Sequence, residues 1–234
     1  MSNKQPGPLQ FHFLTLFPEI LEPALGASLL GKAVQKKAVC YDLVQIRDFA
    51  SDKHKTVDDT PYGGGEGMVL RADVLYGAWK SVAPAKRDPK QALTILLSPQ
   101  GRVLTQAVAR ELASVQTLIL VCGHYEGVDE RFIEECVDLE LSIGDYVLTG
   151  GEVPALVVAD CVTRLLPGVV KNPRSLTEDS LEGGLLKYPQ YTKPRDFRGR
   201  EVPEVLLSGD HGAVREWRDG ARRARTKKRR PDLG

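Results

Sequence analysis

The stretches ALTILLS (Ala92–Ser98) and TLILVCG (Thr117–Gly123) decide the fold of this chain. Their centres are continuously apolar, whereas a strand with one face in water would alternate between apolar and polar residues. The segment between them, about Thr105–Ser114, has the pattern of a helix. The sequence therefore predicts a strand–helix–strand unit within a mostly parallel sheet that helices cover on both faces.

The same alternation of strands and helices extends outward from this unit. Two more strands are predicted at Phe11–Phe17 and Val39–Ile46, and three helices at Glu19–Lys37, Ala72–Val82 and Asp129–Cys136. The sequence thus predicts an α/β fold.

Composition divides the chain into four parts. Residues 1–10 are predicted to be a disordered extension, and residues 11–170 form the α/β domain. The polar segment 171–184, with Pro and paired Gly, is predicted to be a flexible linker. Residues 185–234 have few aliphatic side chains and many Arg, Glu and Pro, and we expect a small, mainly helical domain there.

A further helix is predicted at Glu152–Leu166, with Pro154 in its first turn and Pro167-Gly168 at its end. Apolar side chains leave little of its circumference polar. A helix that is apolar nearly all round is buried, either in the core or against another subunit.

Bulk properties are those of a globular protein without a membrane span. The chain has 234 residues, 42% of them apolar, which is enough to bury a sizeable core. No run approaches the roughly 18 apolar residues that a span requires, and no signal peptide is evident, so we expect a cytoplasmic location. The four cysteines are scattered without a CxxC pair, so no metal site is predicted.

Charge is spread unevenly along the chain. The net charge is only +1, but seven of the nine residues in Arg222–Arg230 are Lys or Arg. Such an end suits a polyanion such as RNA, and it equally suits a solvated tail.

Two nucleotide-binding motifs are excluded. The segment Gly26–Ala33 nearly matches a phosphate-binding loop, but it ends in Ala where a hydroxyl must hold Mg²⁺, and it lies inside a helical pattern. The glycine-rich loop Val57–Met68 does not directly follow a strand, as the dinucleotide fingerprint requires. The sequence therefore favours neither a nucleoside triphosphatase nor a nicotinamide-dependent enzyme.

Three loops follow strand-like runs, at Ser98–Arg102, Gly123–Gly127 and Ser142–Glu152. Each by itself is best explained as an ordinary turn. Ligands in open α/β sheets bind outside the carboxyl ends of the strands, so three such loops predict one shared pocket.

Five motifs resemble one family. SIGDYVLTGGE (142–152), LSPQGR (97–102), CGHYEGVDER (122–131), DDTPYGGG (58–65) and TEDS (177–180) are similar to the TrmD family of tRNA (guanine-N1)-methyltransferases, in the SPOUT superfamily. The resemblance runs from about Phe11 to the C-terminus. The chain departs from the family pattern at His124, where Arg is frequent, and at Glu66, where Pro is frequent.

The resemblance implies a trefoil knot in the C-terminal part of the α/β domain, S-adenosylmethionine as cofactor, and a homodimer with active sites at the subunit interface. The residues that it assigns to the cofactor pocket are Ser98, Pro99, Gly123, Tyr125, Glu126, Ile143, Gly144, Asp145, Tyr146, Val147, Leu148, Gly150, Gly151 and Pro154.

The resemblance also assigns catalytic roles to Asp179, as the base that deprotonates N1 of guanine, and to Arg164, as the cation that stabilises charge on O6. It implies assistance by Mg²⁺ involving Glu126. The residues by themselves favour structural roles, because Ser175–Glu178 fits a helix capping box and Asp160 is four residues from Arg164 on one helix.

The function that the resemblance implies is methylation of N1 of the guanosine at tRNA position 37, 3′ of the anticodon. Arg195, Arg198, Arg200 and the basic end are expected to hold the tRNA backbone. The alternatives are a related SPOUT methyltransferase acting on ribosomal RNA or another tRNA position, and an RNA-binding module without catalysis.

Overall fold

A computed structural model describes residues 7–172 and 179–233 of the chain. It divides into two compact units, the first ending at Lys171 and the second beginning at Asn172. Most of the predicted extension, residues 1–6, and part of the predicted linker, residues 173–178, lie outside the described residues. No helix of the described part is both long enough and apolar enough to cross a membrane.

The first unit is built on a five-stranded parallel sheet. Its elements, in chain order, are β1 Leu9–Thr15, α1 Pro18–Leu25, α2 Ser28–Gln35, β2 Val39–Gln45, β3 Asp58–Asp59, β4 Val69–Leu70, α3 Ala72–Val82, β5 Ala92–Val103, α4 Gln106–Leu112, β6 Thr117–Cys122, α5 Glu130–Cys136, β7 Leu139–Ser142 and α6 Glu152–Thr163. The strand order is β2-β1-β6-β5-β7, and β3 pairs with β4 in a separate antiparallel ribbon. The predicted α/β fold with a parallel sheet is confirmed.

Helices cover both faces of the sheet. Leu118 and Leu120 of β6 pack in one core with α1, α2, α4 and α6, whereas Ile119 and Val121 pack in a second core with α3 and α5. Because successive strand residues point to opposite faces, a strand buried on both sides must be apolar throughout. This is the physical reason that TLILVC contains no alternation.

Several predicted boundaries are wrong. The sheet begins at Leu9, which is buried, so Leu9 and Gln10 do not belong to a disordered extension. The single helix predicted at Glu19–Lys37 is two helices, because Ala27 is extended and Ser28 has a φ of 48°. The loop predicted at Ser98–Arg102 is instead part of β5, and β7 is a strand that the pattern does not single out.

Helix α6 is buried on one side within the chain. Ala155, Val158, Ala159 and Val162 are fully buried, but Val153 is 51% exposed. Within the single chain α6 is therefore buried only in part, and burial of the remainder against another subunit stays a prediction.

The second unit contains one long helix, α7 His211–Arg229, and a two-stranded ribbon of β8 Asp196–Phe197 and β9 Arg200–Glu201. Asp210 caps α7 by accepting hydrogen bonds from the backbone of the first turn. The buried Thr226 ties the helix to the preceding chain, since its hydroxyl accepts a hydrogen bond from the Leu186 amide at 2.9 Å.

Candidate functional site

The carboxyl ends of β5, β6 and β7 surround a cavity of about 380 Å³. Its walls come from the three loops that the sequence predicts to share a pocket: the residues around Ser98, those after Cys122, and those between Ser142 and Pro154. Such a place, outside the strand ends of a parallel sheet, is where α/β proteins bind ligands.

Most residues assigned to the pocket from the sequence lie on this cavity. They are Ser98, Pro99, Gly123, Tyr125, Glu126, Ile143, Gly144, Tyr146, Val147, Leu148, Gly150, Gly151 and Pro154. Asp145 is not among the lining residues, although its neighbours Gly144 and Tyr146 are. The reason is local: Gly144 has a φ of 150°, and the Tyr146 hydroxyl donates to the Ile143 carbonyl at 3.2 Å, which turns these neighbours toward the cavity.

A register shift in β5 forms the first wall. Leu97 and Arg102 both pair with Leu141 of β7, so the residues between them leave the regular ladder. Gly101 returns the strand to β7 so closely that a Cβ there would lie 2.3 Å from the Glu140 carbonyl carbon. The bulge presents Ser98 and Pro99 to the cavity without ending the strand.

Two glycines close the cavity above β6. The Gly151 amide donates to the Gly123 carbonyl at 2.9 Å, and a Cβ on Gly151 would lie 2.5 Å from the Cys122 Cα. A Cβ on Gly150 would lie 2.3 Å from a ring carbon of His124. Close packing against backbone thus requires glycine at 151, and close packing against the His124 ring favours it at 150.

Behind the glycines lies a buried hydrogen-bond network that the motif comparison misses. Glu152, whose side chain is 2% exposed, accepts a hydrogen bond from the Thr15 hydroxyl at 2.6 Å through one carboxylate oxygen. Its other oxygen is 2.7 Å from Nε2 of His124, and Thr15 in turn accepts from the Phe17 amide at 2.9 Å. The network ties together the ends of β1 and β6 and the start of α6.

The only sequence signal for this network is a charged residue at the start of an otherwise apolar helix. Burial and the nearby charge of Glu152 raise the pKa of the Cys122 thiol well above its ordinary value. Cys122 therefore remains a protonated, unreactive part of the core.

Glu126 joins the glycine-rich loop to the cavity. Its amide donates to the Met68 carbonyl at 3.0 Å, and a Cβ on Gly67 would lie 2.4 Å from its Cγ. Tyr125 precedes it with a φ of 60°, a conformation that only such a pinned turn maintains. The end of the glycine-rich loop, at Gly67 and Met68, thus contacts a residue of the cavity wall.

The two residues assigned to catalysis lie in different units. Arg164 directly follows α6 and is partly buried, with its amide donating to the Asp160 carbonyl at 3.1 Å. Asp179 belongs to the second unit, where its Oδ1 is 3.5 Å from Nζ of Lys187.

Within residues 7–172 and 179–233 there is no group of three or more His, Cys, Asp or Glu side chains that could hold a metal ion.

Comparison with known proteins gives the family. The sequence profile of the family described as "tRNA (Guanine-1)-methyltransferase TrmD" matches residues 9–234, which includes every loop of the cavity. The chain belongs to the TrmD family.

Relatives in this family resemble the chain over nearly its whole length. A tRNA (guanine-N(1)-)-methyltransferase of Ruminiclostridium cellulolyticum is 51% identical over 226 residues, covering 96% of each chain. One of Rhizobium etli is 53% identical over 220 residues, or 94% of this chain and 93% of its own. One of Bacillus velezensis is 51% identical over 225 residues, or 96% and 92%.

The close approach at Gly151 predicts that Gly151→Ala destabilises this TrmD-family protein. The new Cβ meets backbone atoms of Cys122 and Gly123, which cannot turn aside as a side chain can. We expect a loss of about 1–3 kcal/mol in the free energy of unfolding, measured with urea. Gly220→Ala in α7 is the control, because nothing lies within 4 Å of that Cβ and alanine favours a helix. Equal stability of Gly151→Ala and the wild type would contradict the tight packing.

The buried network predicts that Thr15→Val also lowers the free energy of unfolding. Valine keeps the shape of threonine but leaves one oxygen of the buried Glu152 without its donor. An unsatisfied buried acceptor costs about 1–3 kcal/mol, which a lower urea midpoint would report. Thr60→Val is the control, because Thr60 is exposed and its substitution leaves no buried group unpaired. A midpoint for Thr15→Val equal to that of Thr60→Val would show that the contact contributes nothing.

Proposed function

We propose that this protein transfers a methyl group from S-adenosylmethionine to N1 of the guanosine at tRNA position 37, 3′ of the anticodon. The observation that carries the proposal is the family match over residues 9–234, together with the cavity that the matching motifs line. The relatives named tRNA (guanine-N(1)-)-methyltransferase support the reaction type. Since tRNA is the proposed substrate, we place the enzyme in the cytoplasm.

The cavity fits the adenosyl part of the cofactor. Its volume of about 380 Å³ lies within the range of small-molecule sites, and glycines at 123, 144, 150 and 151 leave backbone on its walls. Backbone amides and carbonyls can hold an adenine and a ribose without charged side chains. When bound, S-adenosylmethionine supplies a methyl group on a positively charged sulfur, which the deprotonated guanine nitrogen can accept.

The trefoil knot and the homodimer are part of the proposal. Contact of Gly151 with the end of β6 supports the knot, because the chain after β7 comes back over a strand that precedes it. Apolar side chains around the cavity support the dimer: Val147 is 85% exposed, Leu148 43% and Val153 51%. Apolar groups gathered in this way are typical of an interface between subunits.

The reaction requires removal of a proton. N1 of guanine carries a hydrogen at neutral pH, and its lone pair is delocalised into the ring, so it cannot attack the methyl group until a base removes that hydrogen. We assign this role to Asp179, since a carboxylate within hydrogen-bond reach is a common general base. In the second unit its Oδ1 lies 3.5 Å from Nζ of Lys187.

Negative charge spreads to O6 of guanine as N1 loses its proton. We assign Arg164 to stabilise this charge, because a fixed guanidinium lowers the energy of a developing anion. It directly follows α6, about three turns beyond the cavity wall at Pro154, so the same helix connects it to the glycine turn.

Mg²⁺ assistance is assigned to Glu126, the carboxylate on the cavity wall. Mg²⁺ in proteins often takes one or two carboxylates and fills its remaining positions with water and substrate oxygens. Glu126 would be one such carboxylate.

We propose that the second unit holds the tRNA backbone through cations on its surface. Arg198 is exposed, with its guanidinium 5.6 Å from the exposed ring of Phe197. Most of the segment Arg222–Arg230 is also exposed. Arg195 and Arg200 are exposed too, the first just before β8 and the second in β9. Contacts of this kind hold and orient RNA, whereas contacts to the base in the pocket provide specificity.

A methyl-transfer assay on tRNA transcripts tests the proposed function. We expect methyl transfer to a transcript with guanosine at position 37 and none when adenosine replaces it, because adenine has an amino group in place of O6 and so offers the proposed Arg164 contact no oxygen. A transcript with another unpaired guanosine replaced is the control and should remain a substrate. Methylation of ribosomal RNA or of another tRNA position would favour the related SPOUT enzyme. No heat on titration with S-adenosylmethionine would favour a non-catalytic RNA-binding module.

Asp179→Asn tests the base. We expect unchanged binding of S-adenosylmethionine by calorimetry and a single-turnover rate lower by about 10²–10⁴-fold, the contribution of a general base. Lys187→Met is the matched control, because it breaks the same ion pair but keeps the carboxylate. A near-normal rate for Asp179→Asn, or an equal loss in Lys187→Met, would remove Asp179 from the base role.

A further inference from the structure

The second unit contains a cavity of its own, of about 530 Å³. It lies between the segment that begins at Tyr188, the turn at Leu206–Leu207 and one side of α7. Its lining residues are Tyr188, Pro189, Gln190, Tyr191, Thr192, Lys193, Arg195, Val202, Leu206, Leu207, Val214 and Arg218. The proposed phosphate contacts and the proposed catalytic step leave most of these residues without a role.

Arg218 is the residue that points to a ligand. Its guanidinium lies 4.7 Å from the centre of the Tyr188 ring, and its Nε is buried without a hydrogen-bond partner among the residues that the structure describes. A buried N–H group on a cation is costly when it has no acceptor. An acceptor from outside the chain, such as a phosphate or a base oxygen, would remove this cost.

The lining combines two kinds of chemistry. Tyr188 and Tyr191 provide aromatic rings, and Leu206 and Val214 provide aliphatic contacts. Lys193 and Arg218 provide positive charge, and none of the lining residues is acidic, although the third cation, Arg195, is paired with Glu204 outside the lining. A flat aromatic group joined to an anion matches this combination, and an unstacked nucleotide is such a group.

We infer that this cavity binds one unpaired nucleotide of the tRNA, with the base against the tyrosines and aliphatic side chains and an oxygen acceptor near Arg218. The inference rests on the proposed function, because it requires tRNA as the substrate. It differs from the backbone contacts proposed above, since it adds a base that is taken out of the stack. Because stacking of the base is not ionic, that part of the affinity of the cavity does not weaken as salt rises.

The test measures the Kd for a tRNA transcript over a range of salt concentrations. Tyr188→Leu and Arg218→Met remove the ring and the buried cation from the cavity. We expect each to weaken binding by about 5- to 150-fold, as the loss of one stacked base does. Tyr188→Leu should leave the slope of log Kd against log salt unchanged, because it removes no charge.

Arg215→Met is the matched control. Arg215 is an exposed cation on the same helix, and it does not line the cavity. We expect at most about a three-fold weaker Kd, with a salt slope that is smaller by no more than about one. Thermal unfolding of each variant checks that the second unit remains folded.

Val214→Phe tests the cavity independently, because it removes neither the Tyr188 ring nor the Arg218 cation. The larger side chain fills the cavity, so tRNA binding should weaken while the folded state is kept. If Tyr188→Leu, Arg218→Met and Val214→Phe all bind tRNA within two-fold of Arg215→Met, the inference is overturned. It is also overturned if a free nucleoside monophosphate binds saturably in the cavity while the tRNA Kd of the variants is unchanged.

Failure of the inference and failure of the proposed function give different results. If the wild type methylates tRNA but the cavity variants bind it normally, only the nucleotide site is lost. If the wild type neither binds nor methylates tRNA, the proposed function fails and the inference fails with it.

Discussion

The buried carboxylate of Glu152 is the constraint on which the site depends. A carboxyl group that is 2% exposed is stable only when its oxygens have hydrogen-bond partners, and here Thr15 and His124 provide them. These partners come from the ends of two adjacent strands, β1 and β6, so the start of α6 can occupy only one position relative to the sheet. The glycine turn that precedes Glu152 is fixed by the same contacts. The shape of the cavity follows from that fixed turn.

The parallel sheet makes this arrangement possible. All five strands run in one direction, so their carboxyl ends meet at one edge, and loops that are distant in sequence become neighbours there. Thr15, His124 and Glu152 span 137 positions of the chain. Burial on both faces holds the strands rigidly, which allows the loops to carry strained conformations such as that of Tyr125.

Sequence patterns correctly predict the strands and helices whose apolar residues are buried in the way that the pattern implies. Continuous apolar runs predict β5 and β6 because both faces are buried, and helical spacing predicts α3 with its bounds. The break between α1 and α2 escapes the pattern, because apolar spacing continues across Ala27 and Ser28 while the backbone does not. The pattern also fails to predict the bulge in β5. Pro99 and Gly101 are typical of a turn, but pairing with β7 keeps these residues within the strand.

The site is only partly predictable for a related reason. Motif resemblance finds the residues that line the cavity, since glycines such as Gly151 are required where backbones touch. It assigns Asp145 to the pocket because that residue stands between two lining residues, although the turn at Gly144 leaves it outside the lining. The network of Thr15, His124 and Glu152 is absent from any local pattern, because a contact between distant strand ends exists only after the sheet has formed.

In the proposed function, the two units divide recognition between forces of different range. Cations of the second unit attract a polyanion over roughly a Debye length, about 8 Å at physiological salt, and that attraction carries no sequence information. The cavity of the first unit has walls made largely of backbone, whose hydrogen bonds act only at contact and only on a ligand of the right shape. Specificity must therefore arise where charge is scarce, and affinity where charge is dense. A chain whose net charge is only +1 can serve both needs because Arg and Lys are concentrated in Arg222–Arg230 and excluded from the cavity walls.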